Sequence, residues 1–395
     1  MLGGLRVLDL TFYLPGPYAT WLLAELGAEV VKVESPAGGD PLRWLGPTGS
    51  SPAGSVFFEA VNRGKKSLTL DLKTPEGREV FLRLASRADA VVEQFRPGVA
   101  ERLGIGYETL RQVNPRLVYV SLTGYGQSGP LAAEAGHDIN YLAWSGLLDL
   151  FLGENTGAPH RDGPPPRLPP VQLADLNGGS LTAIAVLAGV LGARLTNRGT
   201  HLDVSMTDGA LGLLVLTASA YLAGTGPAPA AGNLVLAGAE PFYGVYRCSD
   251  GARLAVGALE PKFWSRVLKV LAEADPERRP AEALGASREE VARVFAAHPA
   301  SFWLERLAAT PDTCVSPVLT VREALDHPNT AARGMVACGH IACPLAEVGP
   351  GGEPRRPAPR PAPRVGEHNR ELLLGLGLTE EELQALARSG VTLPG

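Results

Sequence analysis

The sequence predicts an α/β protein: a mostly parallel sheet with helices on its faces, followed by a smaller second domain. Three observations predict it. Short apolar runs alternate with stretches of helical spacing as far as Leu122. The run from Ala223 to Ala230, rich in Ala, Gly and Pro, then reads as a linker. Beyond it, two strand-like runs and a series of helical patterns form a group of their own. At 395 residues the chain is also long for a single core.

The elements follow in order. Leu5 to Leu10 is a short apolar run of strand character. Gly16-Pro17 breaks it, and Tyr18 to Leu26 has helical spacing that ends at Gly27. Glu29 to Glu34 is the next strand, and Ser67 to Leu72 alternates as another. Thr74-Pro75 opens a helix running to about Ala88, followed by strands at Ala90 to Gln94 and Leu117 to Leu122. Gly153 to Pro170 reads as a loop, and Asp175 stands at the start of a long apolar helix. In the second group, Phe242 to Cys248 and Arg253 to Val256 are strand-like around a Ser249-Asp250-Gly251 turn, and helices are expected from Pro261 to about Leu307. Thr320 to Leu325 begins a return segment, and Gly349 to Arg364 is Pro/Arg-rich and extended. Thr379 with Glu382 three residues on is a capping-box pattern, so a short helix is expected to Ala387.

Composition narrows the function classes. Hydrophobic residues make up 45% and charged residues 19%, a globular balance. The net charge of −5 gives no reason to expect nucleic acid or an anionic membrane as partner. The apolar stretches Leu181 to Leu195 and Ala210 to Leu222 are short or interrupted and read as buried helices. The start, Met1 to Arg6, lacks the pattern of a secretory signal, and the four cysteines form no disulfide framework. A cytoplasmic location is the expectation. The excess of arginine over lysine reads as genome bias.

Four places can carry chemistry. In Gly136-His137-Asp138-Ile139-Asn140-Tyr141, a histidine sits in a loop ahead of a helical run. It is either a general base, histidine being the side chain whose unperturbed form titrates nearest neutrality, or a surface histidine at a helix start. Asp175 stands where an aspartate is ordinarily a helix cap. It can equally place a carboxylate beside free helix amides able to hold an oxyanion, with Gly178-Gly179 admitting a ligand. Glu260, just before Pro261, reads as a helix-entry acid. The basic set Asn62-Arg63-Gly64-Lys65-Lys66, with Lys73, and Phe95-Arg96-Pro97-Gly98 leading to Arg102, suits nucleotide phosphates or an ordinary solvated face. No phosphate loop and no dinucleotide fingerprint follow the first strand, which disfavours an ordinary ATP or NAD enzyme. Cys338-Gly339-His340 with Cys343 lacks a second ligand pair for zinc, so no metal site is expected. The loop from Ser121 to Gly129 does not fit a nucleophile elbow.

Several motifs in order are similar to those of family III CoA transferases: Leu14 to Thr20 with Leu26 to Glu34, Asn62 to Lys73, and Phe95 to Gly104. The resemblance covers nearly the whole chain. Within the family, Gly136 to Tyr141, Glu240 to Tyr246, Val256 to Pro261 and Cys314 to Leu319 resemble the α-methylacyl-CoA racemase branch. The stretch Leu236 to Glu240 lacks the glycine run of the formyl-CoA-transferase branch.

This resemblance implies a Rossmann-like large domain with a parallel sheet, a smaller α+β domain, and an interlocked homodimer. The expected layout is 1–222 for the first part of the large domain, 223–319 for the small domain, and 320–395 for the return segment. It implies His137 and Asp175 as the acid/base pair, with Glu260 supporting them. It implies coenzyme A contacts at Leu70, Asp71, Leu72, Lys73, Arg102, Gly136, Asp138, Ile139, Asn140 and Tyr141. A basic residue that holds the nucleotide in some racemases falls at Ser35 here. The expected reaction is racemisation of a 2-methylacyl-CoA thioester through an enolate. It calls for no cofactor beyond the coenzyme A of the substrate, and free amides at the start of the Asp175 helix are the expected enolate hole. The alternatives are a CoA transferase using Asp175 as nucleophile and a non-catalytic acyl-CoA-binding homologue.

Overall fold

The computed structural model describes residues 1–48, 52–152, 168–275, 277, 279–281 and 287–394. Most of the loop expected from Gly153 to Pro170, and part of the helical stretch expected between Pro261 and Leu307, lie outside them. The chain divides into two compact units, one of Met1–Leu148, Pro169–Leu213 and Ala331–Gly395, the other of Asp149–Leu168 and Leu214–Thr330.

The first unit is built on a six-stranded sheet. Its strands are β1 (Arg6–Leu10), β2 (Glu29–Glu34), β3 (Lys66–Thr69), β4 (Ala90–Glu93), β5 (Val118–Thr123) and β6 (Thr200–Ser205), in the order β3-β2-β1-β4-β5-β6. Every neighbouring pair runs parallel. The continuous apolar runs in the sequence have their cause here, because strands of a covered parallel sheet are buried on both faces. Alternate residues serve opposite cores. Val7, Val30, Val92 and Val120 face one cluster with Trp21 and Leu22, while Leu8, Val31, Val91 and Tyr119 face another with Phe81 and Leu84. Leu373, Leu376 and Leu383 from the end of the chain complete the second cluster.

Four helices of this unit matter for the site: α1 (Pro15–Glu25), α2 (Asp138–Trp144), α3 (Leu173–Thr196) and α4 (Met206–Gly212). α3 has 24 residues and is long and apolar enough to cross a membrane by length and composition. It packs on α1, α4 and β5, burying Ala174, Gly178, Gly179, Val186 and Val190. Two glycines permit that approach. A Cβ on Gly179 would stand 2.5 Å from the Pro15 carbonyl, and one on Gly178 would stand 2.7 Å from Met206 Cγ. The expectation that Gly178-Gly179 admits a ligand is therefore corrected: the space is filled by the neighbouring chain.

Other expectations shift as well. The strand read from Ser67 to Leu72 ends at Thr69, and Leu70 to Lys73 leave the sheet. β6 was not foreseen, because its polar, half-buried alternation marks an edge strand. Ala210 to Leu222 is not one buried helix. α4 ends at Gly212, and a separate helix, Val215–Leu222, has no buried residue. The helix starts were legible: Thr74 caps Pro75–Ala85, and Thr379 and Glu382 form a reciprocal capping box.

The second unit has a three-stranded antiparallel sheet, β7 (Tyr243–Arg247), β8 (Arg253–Gly257) and β9 (Val315–Pro317), in sequential order. Helices Pro261–Glu273, Arg288–Phe295 and Ala300–Ala309 cover it around Leu254, Leu271, Phe295 and Trp303.

Candidate active site

Parallel α/β sheets bind ligands beyond the carboxyl ends of their strands, where neighbouring crossovers diverge. In this sheet that point lies between β1 and β4. A cavity of about 470 Å³ opens there, lined by Phe12, Tyr13, Phe95, Arg96, Thr123, Tyr125, Gly136, His137, Asn140, Tyr141, Asp175 and Met206.

The segment after β1 is fixed by buried charges. Asp9 Oδ1 accepts from the Thr11 amide at 2.9 Å, and Asp9 Oδ2 accepts from Thr20 Oγ1 at 2.6 Å and Lys65 Nζ at 3.0 Å. Lys32 Nζ donates to the Thr11 carbonyl at 2.7 Å and pairs with Asp40 Oδ2 at 2.9 Å. Asp40 Oδ1 accepts from the Tyr13 amide at 3.0 Å. Burial opposes the charge on Asp9, but Lys65 and Lys32 outweigh it and hold the carboxyl well below the usual range. Tyr13 leaves this clamp with φ of 60°, in the left-handed region. For a bulky residue such a conformation costs about 1–3 kcal/mol and persists only where the surroundings impose it.

His137 is exposed and occupies the N-cap position of α2. Its amide donates to Asn140 Oδ1 at 3.0 Å, so the helix-start role is real. Its ring also lines the cavity and meets the Tyr13 ring edge to face, with centroids 6.4 Å apart at 82°. Tyr141, in the same helix, donates its hydroxyl to the Gly136 carbonyl at 2.5 Å and fixes the loop before His137.

Asp175 is the third residue of α3, and it is not the cap. That role falls to Asp138, whose Oδ1 accepts from the amides of Ala174 at 2.7 Å and Asp175 at 3.1 Å. These amides are taken, which corrects the expectation that they form an enolate hole. The Asp175 side chain is free to face the cavity. Burial, and then the charge of Asp138, push its carboxyl up to about 7. Both protonation states are therefore populated near neutrality.

A second cavity, of about 210 Å³, lies over the ends of β1, β2 and β3. Leu70, Asp71, Leu72, Lys73 and Ser35 line it, and Phe12 and Phe95 line both cavities. Asp138 and Ile139 sit in the first turn of α2 and line neither. Arg102 is exposed on the short helix Val99–Arg102 and also lines neither. Glu260 belongs to the second unit, exposed at the N-cap of Pro261–Glu273. Of the basic set read as facing phosphates or solvent, Lys73 and Arg96 line the cavities, but Arg63, Lys65 and Lys66 are engaged within the fold. Lys65 is wholly buried against Asp9, Lys66 pairs with Glu29 and Glu371, and Arg63 is buried and donates to the Ile341 carbonyl.

Comparison with known proteins places this geometry. The model of CoA-transferase family III matches residues 2–369. The chain belongs to CoA-transferase family III. As a family III protein it is 37% identical to the α-methylacyl-CoA racemase of Mus musculus over 98% of this chain and 96% of the relative. It is also 37% identical to the acetyl-CoA:oxalate CoA-transferase of Acetobacter aceti over 84% of each. Among solved structures, a CaiB/BaiF family protein from Brucella suis aligns with a TM-score of 0.76 at 29% identity, covering 95% of this chain and 98% of the other.

Sequence reasoning alone passed over Tyr13, Tyr125 and Met206 as site residues. The signal that could have found them is position: each lies in the short segment or helix start that follows the carboxyl end of a strand of the parallel sheet.

Proposed function

We propose that this family III protein is a 2-methylacyl-CoA racemase in which His137 and Asp175 exchange protons with the α-carbon. One observation carries the reading: the two side chains line one cavity, and the Asp175 carboxyl is pushed up to about 7. A proton carrier works best when its pKa lies near the working pH, because it must accept in one direction and donate in the other. In this reading one residue removes the α-proton, an enolate thioester forms, and the other returns a proton to the opposite face. The amides of Ala174 and Asp175 are occupied by Asp138 and are not donors for the enolate oxygen. Leu70 to Lys73 in the neighbouring cavity would hold the coenzyme A portion. The chemistry calls for no metal or redox step. Homodimer formation is part of the proposal, since α3 leaves Ile184, Leu191 and Leu195 exposed as an apolar stripe that a second chain would cover.

CoA transfer is the second reading. It is favoured by relatives such as the Acetobacter aceti enzyme, as similar in identity as the racemase. There Asp175 would act as nucleophile, and a partly ionised carboxylate serves that role too. The deciding test is deuterium incorporation at the α-carbon of (R)- and (S)-2-methylacyl-CoA in heavy water, in wild type and in His137→Ala. Exchange from both epimers that is lost in the variant is the expected outcome. No exchange, with Asp175-dependent movement of CoA to a free carboxylic acid, would replace the racemase reading by transfer.

A further inference from the structure

We infer that Tyr13 is a positioning residue that sets the orientation of the His137 ring, and that the buried Lys32–Asp40 pair exists in part to hold Tyr13 there. The inference rests on the reading of His137 as a proton carrier.

The argument starts from backbone strain. A tyrosine at φ of 60° occupies a conformation that glycine adopts without penalty. The chain keeps a large ring at this place, on the wall of the main cavity. Two bonds from one buried ion pair hold the conformation. The Tyr13 amide donates to Asp40 Oδ1, and the preceding turn is fixed by Lys32 Nζ on the Thr11 carbonyl. Lys32 and Asp40 are both fully buried and paired at 2.9 Å. Asp40 Oδ1 also caps the turn at Pro41–Arg43 through the Leu42 amide at 2.9 Å, and the pair's other bonds to the backbone converge on Thr11 and Tyr13. What the turn delivers is the Tyr13 ring, edge to face with His137 at 6.4 Å and 82°.

His137 needs such a support. Its side chain is exposed, and the bonds that fix its helix start involve its backbone, through Asn140. An imidazole free to turn about its χ angles presents the wrong nitrogen, or none, to the α-carbon for part of the time. An edge-to-face aromatic neighbour narrows that freedom. The Tyr13 ring does this without its hydroxyl, so phenylalanine should serve in its place.

The test separates positioning from stability and from substrate contact. Tyr13→Gly removes the ring and relieves the backbone, so the thermal midpoint should hold or rise. Its kcat for α-proton exchange should fall about three- to tenfold, with little change in KM. Tyr13→Phe should restore the rate. In parallel, the His137 ring-proton NMR signal, assigned by its loss in His137→Ala, should shift in Tyr13→Gly and return in Tyr13→Phe. A Tyr13→Gly enzyme with an unmoved His137 signal and unchanged kcat overturns the inference, as does an effect confined to KM. Failure of the racemase reading looks different: His137→Ala would keep full exchange, or wild type would show none, whatever the NMR signal does in the Tyr13 variants.

Discussion

The carboxyl edge of the sheet has two halves that treat acids in opposite ways. Over β1 to β3 every buried carboxylate has a cation: Asp9 with Lys65, Asp40 with Lys32, and Glu34 with Arg43 at 2.7 Å. Burial works against their charge, but these partners prevail and lower Asp9 and Glu34. Over β4 and α3, Glu93 and Asp175 have no such partner among the described residues. Glu93 is buried, accepts from the Phe95 amide at 2.7 Å, and is pushed up to about 7 by burial, against the bonds from Ser121 and Phe95. Asp175 is raised to the same region. The difference teaches where to look for proton chemistry. A fully paired acid is held in one state and serves as framework, whereas an unpaired one near neutrality can change state at little cost.

Four experiments can break or sharpen this contrast. The largest effect is expected from Asp175→Asn, which keeps the shape and removes the titration. Exchange or transfer should fall by about 10²- to 10⁴-fold, while the thermal midpoint near pH 7 holds or rises because a buried charge is no longer required. Retained activity would remove the unpaired half from the chemistry.

Next comes Lys65→Met, which leaves Asp9 buried and unpaired. A loss of about 3–5 kcal/mol in denaturant unfolding is expected, and adding Asp9→Asn should recover part of it. A neutral single variant would show that the paired half is not framework.

The third concerns pH. Between about 4.5 and 7 the folded state holds a proton on Glu93 that the unfolded chain releases. Stability contributed by this group therefore falls as pH rises through that window, by about 3 kcal/mol. Asp9, with its lowered pKa, acts the other way: its contribution is present above the unfolded value of 3.8 and is lost as pH falls below it. Glu93→Gln should flatten the decline toward pH 7, as read from urea midpoints across the range. An identical pH profile in the variant would contradict the assignment.

The smallest effect is expected at Asp138. Asp138→Asn keeps an acceptor for the α3 amides but removes the charge that helps raise Asp175, so the Asp175-controlled limb of the rate profile should move to lower pH. Asp138→Ala should in addition cost about 1 kcal/mol of stability.

Much of the large unit was legible because its causes are local. The strands announce themselves by unbroken apolar runs, and Thr74 and Thr379 mark helix starts by adjacent residues. His137 and Asp175 stood out as residue types in suitable places, and the structure brings both to one cavity. What stayed hidden depends on distant partners. Lys65 read as a phosphate ligand or a solvated cation because its carboxylate, Asp9, lies far away in sequence. Asp175 read as its own helix cap because the true cap, Asp138, arrives from another helix. Gly178-Gly179 read as an opening because nothing in the sequence says that Pro15 and Met206 fill the space.

The double bond from Asp138 to the start of α3 has a metrical consequence. Asp138 follows His137 directly in the chain, and its carboxylate grips the amides of Ala174 and of Asp175 itself. One short side chain thus acts as a gauge block between the backbones of His137 and Asp175 and fixes their span. Asp138→Glu would lengthen that gauge by a single carbon–carbon bond, about 1.5 Å. A wider gap between these two residues could thus be set at this position without altering either of them.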